Sequence, residues 1–280
     1  MKRWTVAALA VTLLLSGCAA GGEPEATPPP ELGPIDGRFS VGERELHLKC
    51  TGSRGPTVLL ESGEGQGSDA LEPIRAALGS DTHVCSYDRA NVGVSDPAEV
   101  PRTAEEISAD LDALLQAAGV PGPFVLVGHS AGGMFVQHYA RTHLDNVTGV
   151  VAINPVPRYD WAQELMFGRM DDEQEAAVDA YYTGENDEGI DFAASSEQIA
   201  SAPAPGQVPF SILISTVGQC DDGDDFCGPK YAGYDKAMVN TAEQWDHSGI
   251  TTVGAGGAEL DPDNSDLVAT MINDLLITAG

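Results

Sequence analysis

The stretch Phe124-Val125-Leu126-Val127-Gly128-His129-Ser130-Ala131-Gly132-Gly133 decides the fold of this chain. Its four leading apolar residues read as a strand buried on both faces. They run straight into Gly-x-Ser-x-Gly, and a helical pattern follows from Ala131. A serine at so sharp a strand-to-helix turn presents its hydroxyl in the open. Glycines at 128 and 132 let the flanking backbones approach each other there. The stretch therefore reads as a nucleophile elbow with Ser130 at its tip.

Working outward, alternating or continuous apolar runs predict strands over 45–50, 57–60, 83–87, 147–153, 208–215 and 250–253. Helices are expected over 103–118, from the elbow to about 143, over 231–247 and over 265–277. Thr103 is read as an N-cap with Glu106 as its capping-box partner, and Gly119 closes that helix. Strands alternating with helices predict an α/β fold, a mostly parallel sheet covered by helices on both faces. Residues 155–206 break the rhythm: they are helical and polar, with 12 Asp/Glu against Arg158 and Arg169. This insertion is read as a helical cap over the site.

The 280 residues carry 43 acidic and 14 basic side chains, a formal charge of −29. Removing Lys2 and Arg3 with the leader described next makes the balance more negative still. Such a charge excludes nucleic acid as a natural partner and favours small neutral or cationic substrates or ligands over anionic ones. Lys2 and Arg3 precede an apolar run too short for a membrane span. Leu15-Ser16-Gly17-Cys18 then resembles the lipobox of bacterial lipoprotein signal peptides. That resemblance implies a signal peptide over 1–17, lipidation of Cys18, and a protein held at the outer face of the cytoplasmic membrane. Residues 18–36, rich in Pro, Gly and Glu, read as a tether, and 37–280 as the folded domain. Export permits disulfides, and four cysteines remain after Cys18. Cys50 with Cys85 across two strands, and Cys220 with Cys227 around a short acidic loop, are the expected pairs. No metal site is expected, because no CxxC or histidine spacing accompanies these cysteines.

Four motifs occur in order: Val58-Leu59-Leu60-Glu61-Ser62-Gly63, Tyr87-Asp88-Arg89 leading to Gly93-Val94-Ser95-Asp96, the helix over 103–118, and Gly128 to Gly133. In this order and spacing the chain from about 38 to 278 resembles the α/β-hydrolase fold superfamily, nearest to proline iminopeptidases and small esterases. The resemblance implies that Ser130 is the nucleophile and that the backbone N–H groups of Ala131 and Glu64 form the oxyanion hole. Family members usually carry an apolar residue at the position of Glu64, whose side chain is expected to face solvent. His129, Asp88 and Arg89 are read as structural. The acid is expected after the strand over 208–215, where Asp221 fits the spacing best. Asn154 occupies the rival acid position. The aspartates over 221–225 also suit a Ca²⁺ ion, although a solvated loop is the commoner reading.

The histidine of the triad is the departure. The resemblance places it after the last strand, where this chain has Gly257, and no histidine follows His247. His247 is expected at the wrong end of the sheet, and His47, His83, His138 and His143 read as core or surface residues. Two functions follow. One is an exported serine hydrolase cleaving an ester or amide, with activity weakened by the incomplete triad. The other is a degenerate hydrolase that binds a ligand or partner at the cell surface without turnover. No cofactor is implied by either.

Overall fold

The computed structural model describes residues 32–165, 167–215, 227–253 and 262–279. Residues 1–17 with the signal, Cys18, Asp221, the Cys220–Cys227 pair as a bridge, and Gly257 all lie outside what is described. Among the described residues no helix is long and apolar enough to cross a membrane.

The strands are β1 (Ile35–Ser40), β2 (Glu45–Thr51), β3 (Arg54–Glu61), β4 (Thr82–Tyr87), β5 (Phe124–His129), β6 (Val147–Ile153), β7 (Phe210–Ser215) and β8 (Ser248–Val253). They form one sheet in the order β1-β2-β4-β3-β5-β6-β7-β8. β1 and β2 pair antiparallel, as do β2 and β4, and every later pairing is parallel. Helices α1 (Glu72–Leu78), α2 (Ala104–Ala118), α3 (Ala131–Thr142), α4 (Tyr159–Leu165), α5 (Asp172–Tyr182), α6 (Phe192–Ser201), α7 (Cys227–Ala242) and α8 (Pro262–Ala279) follow in chain order.

The two-residue period of a strand sorts the core into two layers. Val58, Leu60, Val125, Val127 and Val151 face α1 and α8. Leu59, Leu126, Val150 and Ala152 face α2, α3 and α7. This is the parallel sheet buried on both faces that continuous apolar strands require. α2 starts and stops as its sequence dictates. The Glu106 carboxylate accepts the Thr103 N–H at 2.9 Å, and Gly119 takes a left-handed φ of 69°.

Two elements were not legible. β1 takes in Ile35 and Asp36, assigned to the tether on composition, and pairs them with Cys50 and Lys49. α1 has only seven residues and a proline in its first turn, too short for a periodic signal. Between β6 and β7, where the insertion was expected, α4 to α6 pack Ala162, Tyr182, Phe192 and Ile199 onto Ala131, Met134 and Phe135 of α3.

Cys50 and Cys85 stand opposite one another on β2 and β4 and form a disulfide. His83 lies beside it, its Nε2 4.0 Å from the Cys85 sulfur, a proximity that sequence spacing concealed. Oxidised to a disulfide, the two sulfurs are not thiolate ligands.

Candidate active site

Ser130 sits between β5 and α3 with φ 53° and ψ −118°, a conformation that non-glycine residues rarely hold. The crowding around it explains the glycines. A Cβ on Gly128 would stand 2.3 Å from the Gly132 carbonyl oxygen, and one on Gly132 2.2 Å from that of Glu61. The turn is pinned by the Ser130 N–H donating to Ile153 O at 2.9 Å and by Ser130 O accepting from Gly133 and Val156. The side chain of Ser130 is half-buried at the C-terminal edge of the sheet.

Over this edge runs the loop 62–68. The N–H groups of Gly63, Gly65 and Gln66 are committed to Gln66 Oε1, Glu188 Oε2 and Gly63 O. Among the described residues, the N–H groups of Glu64 and of Ala131 make no hydrogen bond. A pair of uncommitted donors beside a strained serine is the arrangement an oxyanion requires.

The Glu64 side chain departs from expectation. It is turned toward the helical segment between β6 and β7, where Oε2 accepts from the Tyr181 hydroxyl at 2.7 Å and Oε1 from the Asp187 N–H at 2.6 Å. Solvent alone does not hold it, because Tyr181 and Asp187 offer two donors at this height.

Below the loop lies a buried ionic cluster. Arg89 is 2% exposed and spends all five of its N–H donors. Nε and Nη2 reach Glu188 at 2.7 Å each, Nη1 reaches Glu61 at 2.6 Å and Ser62 O at 2.8 Å, and Nη2 reaches Gly63 O at 2.6 Å. Its pKa is raised by the two carboxylates, which outweigh desolvation. Burial pushes the Glu61 carboxyl up, opposed by Arg89 and by the Tyr87 hydroxyl bonded to it at 2.7 Å. Asp88 holds the next loop, accepting from Ser68 and Val94 N–H at 2.6 and 3.0 Å. Asp88 and Arg89 are thus the loop-fixing residues their sequence position suggested.

All six histidines of the chain fall within the described residues. His129 is buried, with Nδ1 3.3 Å from where a Gly63 Cβ would stand, so its ring supports the loop from below. His47 bonds Asp36 at 2.9 Å on β2, three strands or ~14 Å from β5. His83 bonds Thr57 at 2.9 Å at the start of β4, ~20 Å below the elbow. His138 bonds Ser108 at 2.8 Å, and His143 stacks on Tyr139; they lie ~12 and ~20 Å down α3. His247 contacts Gln207 at 2.6 Å just before β8, ~17 Å below the level of Ser130 and three strands aside. Its expected misplacement is what the register gives. Asn154 follows β6 with φ 42°, its N–H donating to Leu213 O.

Comparison with known proteins agrees with this geometry. Residues 56–201 match the model of the alpha/beta hydrolase fold family, more than half of the chain. The chain belongs to that family. It is 33% identical over 104 residues to the uncharacterized protein YqjL of Bacillus subtilis, covering 37% of this chain and 41% of that one. It is 30% identical over 123 residues to the 2-(acetamidomethylene)succinate hydrolase of Mesorhizobium japonicum, covering 44% of each. These matches span less than half the length of the curated relatives. Among solved structures, mouse alpha/beta hydrolase domain-containing protein 10 superposes with a TM-score of 0.65 at 15% identity, covering 88% of this chain and all of that one. At that identity the likeness concerns the fold.

Proposed function

We propose that the protein is a serine hydrolase that cleaves esters or amides through Ser130, and that it turns over slowly. The observation that carries the reading is the strained elbow serine flanked by the two uncommitted N–H groups of Ala131 and Glu64. Ser130 Oγ attacks the carbonyl carbon and passes its proton to a solvent water, while the C–O π electrons move onto the oxygen held by those donors. Collapse expels the alcohol or amine and leaves an acyl-serine, which water then hydrolyses. Solvent has to carry each of these protons, because the resemblance places the histidine at the position of Gly257 and no histidine follows His247. A hydroxyl without an imidazole is a poor nucleophile at neutral pH. Binding and an oxyanion hole still leave about 10³–10⁴-fold over water when a triad member is missing. Activated esters, whose leaving group needs no protonation, are therefore the substrates of choice.

The absence of a histidine after His247 also favours a second reading, a surface protein that binds a small neutral or cationic ligand without turnover. Reaction with a fluorophosphonate separates the two. A serine hydrolase acquires one adduct, located by peptide mass spectrometry at Ser130 and missing from Ser130→Ala. No adduct at Ser130 supports the binding reading. Asp221 is proposed as the acid. If Gly257 marks the vacated position, Gly257→His raises the ester rate about tenfold or more, and no gain argues against the assignment.

We further propose export and a lipid anchor at Cys18, supported by Leu15-Ser16-Gly17-Cys18 and by a disulfide that suits an oxidising compartment. Cys18→Ala then moves the protein from the membrane to the soluble fraction; an unchanged distribution contradicts the anchor.

A further inference from the structure

We propose that Glu188, carried by the segment between α5 and α6, is a positioning residue that sets the oxyanion loop. It orients a donor N–H through Arg89 and so makes the hole dependent on a docked cap. This rests on the reading of Ser130 as a nucleophile.

The argument begins at one peptide unit. The N–H of Glu64 belongs to the same planar group as the carbonyl of Gly63, and in a trans peptide the two point in opposite directions. Arg89 Nη2 donates to that carbonyl at 2.6 Å. Fixing the carbonyl toward the buried guanidinium aims the Glu64 N–H the other way. Arg89 is itself held by Glu188 with two parallel bonds of 2.7 Å, the fork geometry that gives both strength and direction. The following N–H, that of Gly65, donates to the same Glu188 carboxylate at 2.9 Å. Glu188 therefore controls the backbone on both sides of Glu64, once through Arg89 and once directly.

A second tie comes from the same cap. Tyr181 and the Asp187 N–H hold the Glu64 side chain, which keeps its negative charge turned to the cap. Glu188 is 5% exposed, and Glu61 remains as a second partner for Arg89. Without the Glu188 charge, Arg89 and Glu61 still form a neutral pair, so the fold has no unpaired buried ion to expel.

The test compares Glu188→Gln, Glu188→Asp and Tyr181→Phe with the parent, using two independent readouts. Amide hydrogen exchange at Gly65 and Gln66, both hydrogen-bonded in the loop, reports its order without any need for turnover. The expected result is exchange about tenfold faster or more in Glu188→Gln, less so in Tyr181→Phe, with β5 and β6 unchanged. Hydrolysis of an activated ester reports the hole. There kcat falls about 10- to 100-fold in Glu188→Gln with KM within about twofold, and Glu188→Asp recovers part of it. Unchanged exchange at both amides, or KM and kcat moving together, overturns the proposal. Tyr181→Phe disturbs no buried charge, so it decides the matter if both Glu188 variants fail to fold: unaltered exchange at Gly65 and Gln66 then counts against control by the segment between α5 and α6. If the parent neither hydrolyses the ester nor takes up fluorophosphonate, the nucleophile reading fails, and the exchange measurement still decides whether Glu188 positions the loop.

Discussion

At Ser130 the backbone holds an angle that costs on the order of 1–3 kcal/mol, and the surrounding glycines are what make it attainable. The close contacts at Gly132 are with backbone, which cannot swing aside as a side chain can. Gly132→Ala is therefore expected to destabilise the fold by about 3 kcal/mol or more, read as a lowered urea midpoint. His138 makes a separate prediction. Burial, with a smaller push from His143, lowers its pKa to about 4. In the unfolded chain it takes a proton near pH 6.5, so the unfolded state binds more protons between the two values. Its contribution to stability is complete above about pH 6.5 and is lost as pH falls toward 4, amounting to ~1–3 kcal/mol after screening. The urea midpoint of His138→Gln should accordingly fall less steeply than the parent's across that window.

At the scale of elements, the Cys50–Cys85 bridge joins β2 to β4 across 35 residues of chain. Closing a loop of that length restrains the unfolded state by about 3–4 kcal/mol in the chain-entropy account. Cys50→Ala/Cys85→Ala should lose roughly that much in equilibrium unfolding. The elements that were legible are those whose signals are local. β5 and α3 follow from one motif, and α2 from Thr103, Glu106 and Gly119. β1 does carry a period of two in Ile35-Asp36-Gly37-Arg38-Phe39-Ser40, but the proline-rich segment before it masked that alternation. The tie between Arg89 and Glu188 was not legible, because the partners are 99 residues apart and a buried acid in an acidic segment looks like any exposed one. The direction of the Glu64 side chain was hidden for the same reason: its partners Tyr181 and Asp187 are brought there by α5 and the segment after it. His83 beside the disulfide is another product of register alone, set by the pairing of β4 with β2 and β3.

For the whole molecule, a formal charge of −29 makes the approach of a substrate sensitive to its own charge. A cationic activated ester should lose kcat/KM as salt rises from ~0.02 to ~0.3 M, while a neutral ester of similar size keeps its value. Equal salt dependence for the two esters argues against steering. The larger question is whether a family fold with an intact elbow and no histidine after His247 does chemistry. The most direct measurement is turnover of a short-chain p-nitrophenyl ester by the protein and by Ser130→Ala under the same conditions. Slow turnover above background that disappears in the variant is the predicted result. Equal rates in the two proteins contradict Ser130 as a working nucleophile.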